Sequence, residues 1–126
     1  MILPEFLTIV KKQTEPALII SANLNQEDIE GFNPIKSDFE SLFQALKEGG
    51  DLVMNLSSEL DRATYDLIKQ YTDRKDAVSV FVEGDWKQCP IPTNTHLILL
   101  SDKDTLQNLE KEYPIRQIVG MVFEDK

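Results

Sequence analysis

The fold of this chain is decided by residues 52–71, LVMNLSSELDRATYDLIKQY, where a short apolar run leads directly into an amphipathic helix. Residues 52–56 are apolar enough to form a strand that is covered on both faces. Ser58 and Asp61 are spaced as a capping box at the start of the helix, and apolar residues then recur along one of its faces. A strand followed by such a helix is the repeating unit of a parallel sheet.

The same alternation extends in both directions along the 126 residues. The predicted strands are residues 17–21, 52–56, 78–82, 97–100 and 118–123. The predicted helices are residues 3–13, 37–48, 58–71 and 104–113. Residues 23–36 are polar and contain Gly31 and Pro34, so we expect a loop there. We therefore predict a single α/β domain spanning residues 1–126, a three-layer sandwich with a five-stranded, mostly parallel sheet and helices on both faces.

The segment that joins the third and fourth predicted strands, residues 84–95, does not follow this alternation. It contains Pro90 and Pro92 and has no helical periodicity. It could turn back as an antiparallel hairpin or cross the sheet as a loop, and we favour the hairpin. An antiparallel fourth strand would move Asp102 and Asp104 to the edge of the sheet opposite the other strand ends.

The composition restricts the class of protein. Acidic residues outnumber basic residues by 22 to 13, and the formal charge of −9 repels phosphate backbones, so we expect no nucleic-acid partner. The single cysteine, Cys89, cannot form an internal disulfide, which favours a reducing compartment. No stretch of the sequence is long and apolar enough to cross a membrane. We therefore expect a cytoplasmic protein without a membrane partner.

The junctions between strands and helices carry acids, amides and hydroxyls, and none carries the glycine-rich loop that holds nucleotide phosphates. Ligands of parallel sheets bind where such junctions meet, at the carboxyl ends of the strands. A fully parallel sheet would collect there Asn23, Asn25, Asp28, Asn55, Ser57, Glu83, Asp85, Asp102 and Asp104. These residue types are also the preferred helix N-caps, and we favour that interpretation, with no metal and no cofactor.

An alternative function follows from the same side chains. Carboxylate and amide oxygens are ligands for Mg²⁺, which could polarise a phosphoryl group in a Mg²⁺-dependent hydrolase or phosphoryl-transfer enzyme. The acids of that enzyme would be Asp28, Glu83, Asp102 and Asp104.

Two short motifs resemble those of a known family. Residues 80–84, VFVEG, and 99–104, LLSDKD, are similar to the strand-Glu-Gly and strand-Asp-x-Asp signatures of toprim domains, in which three acids hold Mg²⁺ for nucleic-acid cleavage and joining. That family places a full helix and strand between the two signatures, whereas only residues 84–95 intervene here. We therefore do not assign the chain to it.

No residue is predicted to be catalytic. Cys89 and His96 flank the proline-containing segment, but the neighbours of Cys89 include no cation or helix start that would activate a thiol. One cysteine and one histidine cannot supply the four ligands of a zinc site. The Gly-x-Ser-x-Gly elbow of serine hydrolases is also absent.

Residues 83–92 place the single tryptophan beside a proline-containing stretch. Tryptophan is over-represented at binding hot spots, and loops on a rigid scaffold often make contacts. The leading hypothesis is a non-catalytic recognition or regulatory domain that binds a protein partner with a basic surface. The predicted partner-binding residues are Trp86, Ile91, Phe32, Asp28 and Asp85. A third hypothesis is a structural subunit that kept a nucleotide-binding architecture without its phosphate loop and forms a homodimer through its edge strands.

Overall fold

The computed structural model describes residues 2–24, 26–74 and 76–124 of the chain. The helices are α1 (Leu3–Val10), α2 (Phe39–Glu48), α3 (Arg62–Arg74), α4 (Lys103–Glu110) and α5 (Ile115–Ile118), with a 3₁₀ helix at Gln26–Ile29. The strands are β1 (Ala17–Ile20), β2 (Asn33–Ile35), β3 (Asp51–Asn55), β4 (Ala77–Val82), β5 (Asp85–Pro90), β6 (His96–Ser101) and β7 (Met121–Glu124).

Five of the strands form one parallel sheet in the order β2-β3-β6-β1-β7. β1 lies between β6 and β7, with Ala17 in register with Ile98 on one side and with Met121 on the other. All residues of β1 are buried, as expected for an apolar strand that is covered on both faces. The predicted α/β fold with a five-stranded, mostly parallel sheet is confirmed.

Apolar cores lie on both faces of the sheet, which gives the molecule three layers. Leu18 and Ile20 belong to the core that also contains the buried residues of α2, α3 and α4. Ala17 and Ile19 alternate with them and belong to a second core, which includes residues of α1. This division follows from the two-residue period of a strand, which points successive side chains to opposite faces.

The predicted third strand, residues 78–82, is not part of the parallel sheet. It lies within β4, which pairs with β5 as a separate antiparallel hairpin. The turn consists of Glu83 and Gly84, whose φ angles of 52° and 86° are the positive values of a two-residue turn that matches the twist of the strands. Four successive residues of β5, 85–88, are exposed, so β5 lacks the apolar alternation by which strands are recognised in a sequence.

The remaining place in the sheet is taken by β2, which falls within the predicted loop 23–36. β2 has only three residues and contains Pro34, so its sequence indicates a loop rather than a strand. It lies at the edge of the sheet and pairs with β3 on one side. Proline is tolerated at such an edge because its missing N–H need not face a neighbouring strand.

β6 is a central parallel strand, so the preference for an antiparallel fourth strand was wrong. α3 carries the chain back along the sheet after β3, and the two strands of the hairpin run in opposite directions. The chain therefore enters β6 in the same direction as β3. As a result, Asp102 and Asp104 stay at the carboxyl edge of the sheet.

The end of the chain also differs from the prediction of a strand at residues 118–123. The predicted helix 104–113 ends earlier, at Glu110, and Pro114 occupies the N-cap position of the short helix α5. The strand β7 begins only at Met121 and extends to Glu124. The N–H of Gly120 donates to the carbonyl of Pro16 at 2.7 Å, which places the chain beside β1 before β7 begins.

Candidate functional site

The carboxyl ends of β1, β3 and β6 meet around a cleft of about 310 Å³. Its polar lining comes from Ser21, Asn55, Ser101 and Asp102. Ligands of open parallel sheets bind in this position, so the cleft is the first place to look for a small-molecule site. Two of these residues, Asn55 and Asp102, belong to the set that the sequence predicted for this edge.

Each of the three helices that follow a strand at this edge, α2, α3 and α4, begins with an aspartate that caps it. In every case the carboxylate accepts a hydrogen bond from a backbone N–H three residues later. These bonds join Asp38 to Ser41 (2.8 Å), Asp61 to Thr64 (2.8 Å) and Asp102 to Thr105 (2.7 Å). One of the free N–H groups at the start of each helix is thus bonded to a carboxylate of the chain itself.

This arrangement corrects three predicted caps. The sequence predicts that the second, third and fourth helices begin at Ser37, Ser58 and Asp104, because an acid or a glutamine follows each of them three residues later. The structure assigns that role to the aspartates because a carboxylate offers two oxygens. At α2 and α4 the second oxygen accepts a bond from the hydroxyl of the same residue, Ser41 at 3.0 Å and Thr105 at 3.1 Å.

The cap of α4 also determines the charge inside the cleft. The N–H and then the hydroxyl of Thr105 lower the pKa of Asp102 from its usual value, because both bonds stabilise the carboxylate. A phosphate in the cleft would meet this negative charge where phosphate-binding proteins offer free N–H groups. The cleft is therefore poorly suited to a phosphorylated ligand.

The acids of the alternative Mg²⁺ site do not converge. Glu83 lies in the turn of the separate hairpin and Asp28 in the 3₁₀ helix, whereas Asp102 and Asp104 lie at the start of α4. Across residues 2–24, 26–74 and 76–124, no group of three or more His, Cys, Asp or Glu side chains is placed to hold a metal ion. Asn25, which was also predicted at this edge, lies outside the described residues.

The opposite, amino edge of the sheet holds a pair that the sequence did not reveal. His96 Nδ1 and Asp51 Oδ1 are 2.8 Å apart, and Lys11 Nζ lies 3.7 Å from Asp51 Oδ2. Asp51 and His96 are the first residues of β3 and β6 and stand in register. The two residues are 45 positions apart in the sequence and meet because β3 pairs with β6. The contact therefore could not be predicted without the strand order.

The most exposed apolar feature of the hairpin is a pair of aromatic rings. Phe81 on β4 and Trp86 on β5 are directly opposed in register, with ring centroids 5.6 Å apart in an edge-to-face arrangement. They are 61% and 71% exposed, respectively. Glu83 and Asp85, which lie between them in the sequence, are exposed as well. These four residues are named here the hairpin patch.

Two of the predicted partner-binding residues belong to the hairpin patch, and the other three do not. Trp86 and Asp85 lie on β5, but Ile91 and Phe32 are buried, with 4% and 5% exposure. Ile91 packs in the core on one face of the sheet and Phe32 in the core on the other. Asp28 is exposed in the 3₁₀ helix near Phe32 in the chain. The five residues therefore do not form one surface, and their role in partner binding stays a prediction.

The sequence missed Phe81, although it carries a signal for it. Val78, Val80 and Val82 alternate with Ser79 and Phe81, and only one of these two sets can face the core. Val78 and Val80 are buried, so Phe81 faces away from the core. The alternation alone does not indicate which of the two sets faces the core, and the burial of Val78 and Val80 decides it.

No model of a known protein family matches the chain, and no curated protein sequence is significantly similar to it. In the part of the chain that the structure describes, no helix is both long and apolar enough to cross a membrane. The class that the fold and the site define is an α/β protein with acid-capped helices and an exposed aromatic hairpin.

Proposed function

We propose that this chain is a non-catalytic recognition or regulatory domain that acts in the cytoplasm and binds a protein partner through the hairpin patch. The observation that supports the proposal is the exposure of Phe81 and Trp86, which stay in water although they contact each other. Removing apolar surface from water is the main favourable term in most protein–protein association. Tryptophan is, in addition, among the residues most enriched at binding hot spots.

The hairpin that carries the two rings is anchored to the core and to α3. On the face opposite Phe81, Val78 and Val80 are buried in the core next to α3. The side-chain amide of Gln70 on α3 also bonds the backbone of Ser79, accepting from its N–H at 2.8 Å and donating to its carbonyl at 3.0 Å. A partner would therefore meet rings that are already ordered, which reduces the entropic cost of binding.

The charge of the hairpin patch favours a basic partner. Glu83 and Asp85 are exposed beside the rings and have the same sign as the formal net charge of −9. Complementary charge at the rim of an interface speeds association and disfavours partners of the wrong sign. A basic protein surface fits both the acids and the rings.

The test is the variant Trp86→Ala. We expect partner affinity to fall by at least about tenfold, because truncating a hot-spot residue costs about 2 kcal/mol or more. Partners captured by the wild type and the variant would be compared by quantitative mass spectrometry, and the affinity of a purified partner would then be measured by calorimetry. Thermal unfolding should change little, since the ring is exposed.

Val122→Ala is the matched control, because Val122 is an apolar residue 41% exposed on β7. It should retain partner binding. Equal binding by wild type and Trp86→Ala would contradict the proposal. A large loss of thermal stability in Trp86→Ala would instead assign the ring to the support of the core.

A further inference from the structure

We infer that the partner contributes an extended, basic segment that adds to the hairpin as a third strand, along the outer edge of β5. This inference rests on the proposed function and specifies the chemistry of the partner. It is drawn from the hydrogen-bonding pattern of the hairpin, from the exposure of β5 and from its charge.

The two-residue turn fixes which backbone groups of β5 point outward. Val82 and Asp85 flank the turn and must form its closing hydrogen-bonded pair. Pairs in an antiparallel ladder alternate between bonded and non-bonded, so the opposed pair Phe81–Trp86 is non-bonded. The N–H and C=O groups of Trp86, and two residues later those of Gln88, therefore point away from β4.

The other side of the hairpin supports this assignment. Ser79 is opposed to Gln88 and belongs to the same non-bonded class, so its backbone groups should also point outward, away from β5. They do, because both are bonded by the side chain of Gln70. Gln70 of α3 thus occupies the outer edge of β4 at Ser79, whereas in the described part of the chain no strand other than β4 pairs with β5.

The outer edge of β5 is also accessible. Asp85, Trp86, Lys87 and Gln88 are all exposed. Natural edge strands are usually kept short or are covered, because their unpaired N–H and C=O groups accept another strand. Such strand addition is a common mode of peptide recognition, in which the backbone supplies affinity and side chains supply specificity.

The two edges of the main sheet are less suited to this role. β2 has three residues and contains Pro34, which cannot donate. On β7, the carboxylate of Glu124 lies within 3.6 Å of Lys103 Nζ and 3.9 Å of an Arg116 nitrogen. β5 has six residues and offers two outward N–H groups beside an exposed aromatic pair.

The negative charge of the hairpin indicates which kind of segment would pair with β5. Glu83 and Asp85 are opposed on the hairpin only by Lys87, so the exposed end of the hairpin is net negative. A second copy of this chain would bring another −9 of formal charge to the interface. A basic segment of a different protein would instead be attracted. Its apolar side chains would pack against Trp86.

The test uses short linear peptides selected on the wild-type protein from a displayed random library. We expect the selected peptides to be basic and to lose binding to Trp86→Ala. Gln88→Pro removes one outward N–H without touching the ladder to β4, and proline is tolerated at such edge positions. Gln88→Pro should lower the affinity for the peptides by roughly tenfold, which corresponds to the loss of about one hydrogen bond. Gln88→Ala is the control, because it keeps the N–H, and it should bind the peptides normally.

Methylating alternate backbone nitrogens of the peptide tests the same bonds from the other side, so the inference stays falsifiable if Gln88→Pro does not fold. Peptides that need Trp86 but tolerate both Gln88→Pro and backbone methylation would overturn strand addition and leave the proposed function intact. Peptides indifferent to Trp86 would overturn both. Selection of acidic peptides, or a wild-type dimer that Gln88→Pro dissociates, would overturn the basic occupant.

Discussion

Tyr71 is a single residue whose hydroxyl joins two elements of the fold. It lies on α3, is 1% exposed and donates a hydrogen bond to the carbonyl of Thr95 at 2.9 Å. Thr95 precedes β6, so the bond holds the chain between the hairpin and the central strand against the helix. A buried carbonyl that loses its donor costs more free energy than the mean hydrogen bond is worth.

We expect Tyr71→Phe to lower the free energy of unfolding by about 1–3 kcal/mol, because the Thr95 carbonyl would be left without this donor. Chemical denaturation would measure the change. Tyr113→Phe is the control, since its ring is also buried but its hydroxyl bonds to no described residue. Equal stability of Tyr71→Phe and the wild type would show that water replaces the lost donor.

The same residue gives the protein a dependence on alkaline pH. Burial raises the pKa of Tyr71 to about 12, above the usual value of 10.0 for a tyrosine. Between these two values the unfolded chain releases the proton while the folded protein keeps it, so stability falls as pH rises. The contribution is fully present below pH 10. Unfolding free energies measured from neutral pH to pH 12 should decline less steeply in Tyr71→Phe.

The aromatic residues show what could be predicted at this scale. Trp86 was predicted to bind a partner because it stands beside a proline-containing stretch in a segment without helical periodicity, and it is exposed. Phe32 has equally polar neighbours in the sequence, yet it is buried, because it leads into β2 and packs under the sheet. Local polarity cannot distinguish the two, since burial depends on which strand follows.

At the scale of elements, α2, α3 and α4 are all capped in the same way, by an aspartate. Asp38, Asp61 and Asp102 are each followed three residues later by serine or threonine, and each accepts from the N–H of that residue. The sequence predicted a cap near each of these starts because a serine or an aspartate precedes an acid or a glutamine by three residues there. At α2 and α3 it missed the capping residue because the familiar capping box places the acid three residues after the hydroxyl, which is the reverse order.

The end of α2 provides a test of packing against the link between the hairpin and β6. Gly49 has a φ of 77°, and a Cβ built on it would lie 2.9 Å from Pro92. Gly50 has a φ of 99°, and nothing lies within 4 Å of its Cβ position. Both positions favour glycine, but only Gly49 is also crowded.

We therefore expect Gly49→Ala to be more destabilising than Gly50→Ala by about 1–3 kcal/mol, the usual cost of forcing extra atoms into a packed site. Thermal or chemical unfolding of the two variants measures the difference directly, because the strain of a positive φ is common to both. If the two variants are equally stable, Pro92 moves aside at little cost.

At the scale of the whole molecule, the negative charge predicts how binding depends on salt. The formal charge is −9, and Glu83 and Asp85 place part of it beside the binding rings. The association rate with a basic partner should fall as ionic strength rises, because salt screens interactions over about 10 Å at 0.1 M. Stopped-flow experiments at several salt concentrations would measure this association rate.

The double variant Glu83→Gln, Asp85→Asn should associate more slowly and show a weaker salt dependence, while its dissociation rate stays nearly constant. Glu5→Gln, Glu27→Gln, in which both substituted acids lie outside the hairpin, keeps the same net charge as the double variant and is its control. The same salt dependence in both would mean that net charge alone steers the partner.

The architecture was largely predictable, and the candidate site was not. Apolar runs identified β1, β3 and β6, because strands buried on both faces need continuous apolar sequence. β2 and β5 escaped notice because an edge strand and an exposed hairpin strand need no such sequence. The hairpin patch depends on the pairing of β4 with β5, which is a property of the folded chain.

The side chain of Gln70 has a consequence for aggregation. By bonding both backbone groups of Ser79, it occupies one of the positions at which another strand could pair with the outer edge of β4. Fibrils grow when every chain offers two free edges, so that each new layer templates the next. A hairpin hindered in this way on β4 can accept a strand along β5 but is a poorer template for a further strand on its other side. The molecule can thus expose an edge strand for recognition while fibril growth through the hairpin is disfavoured.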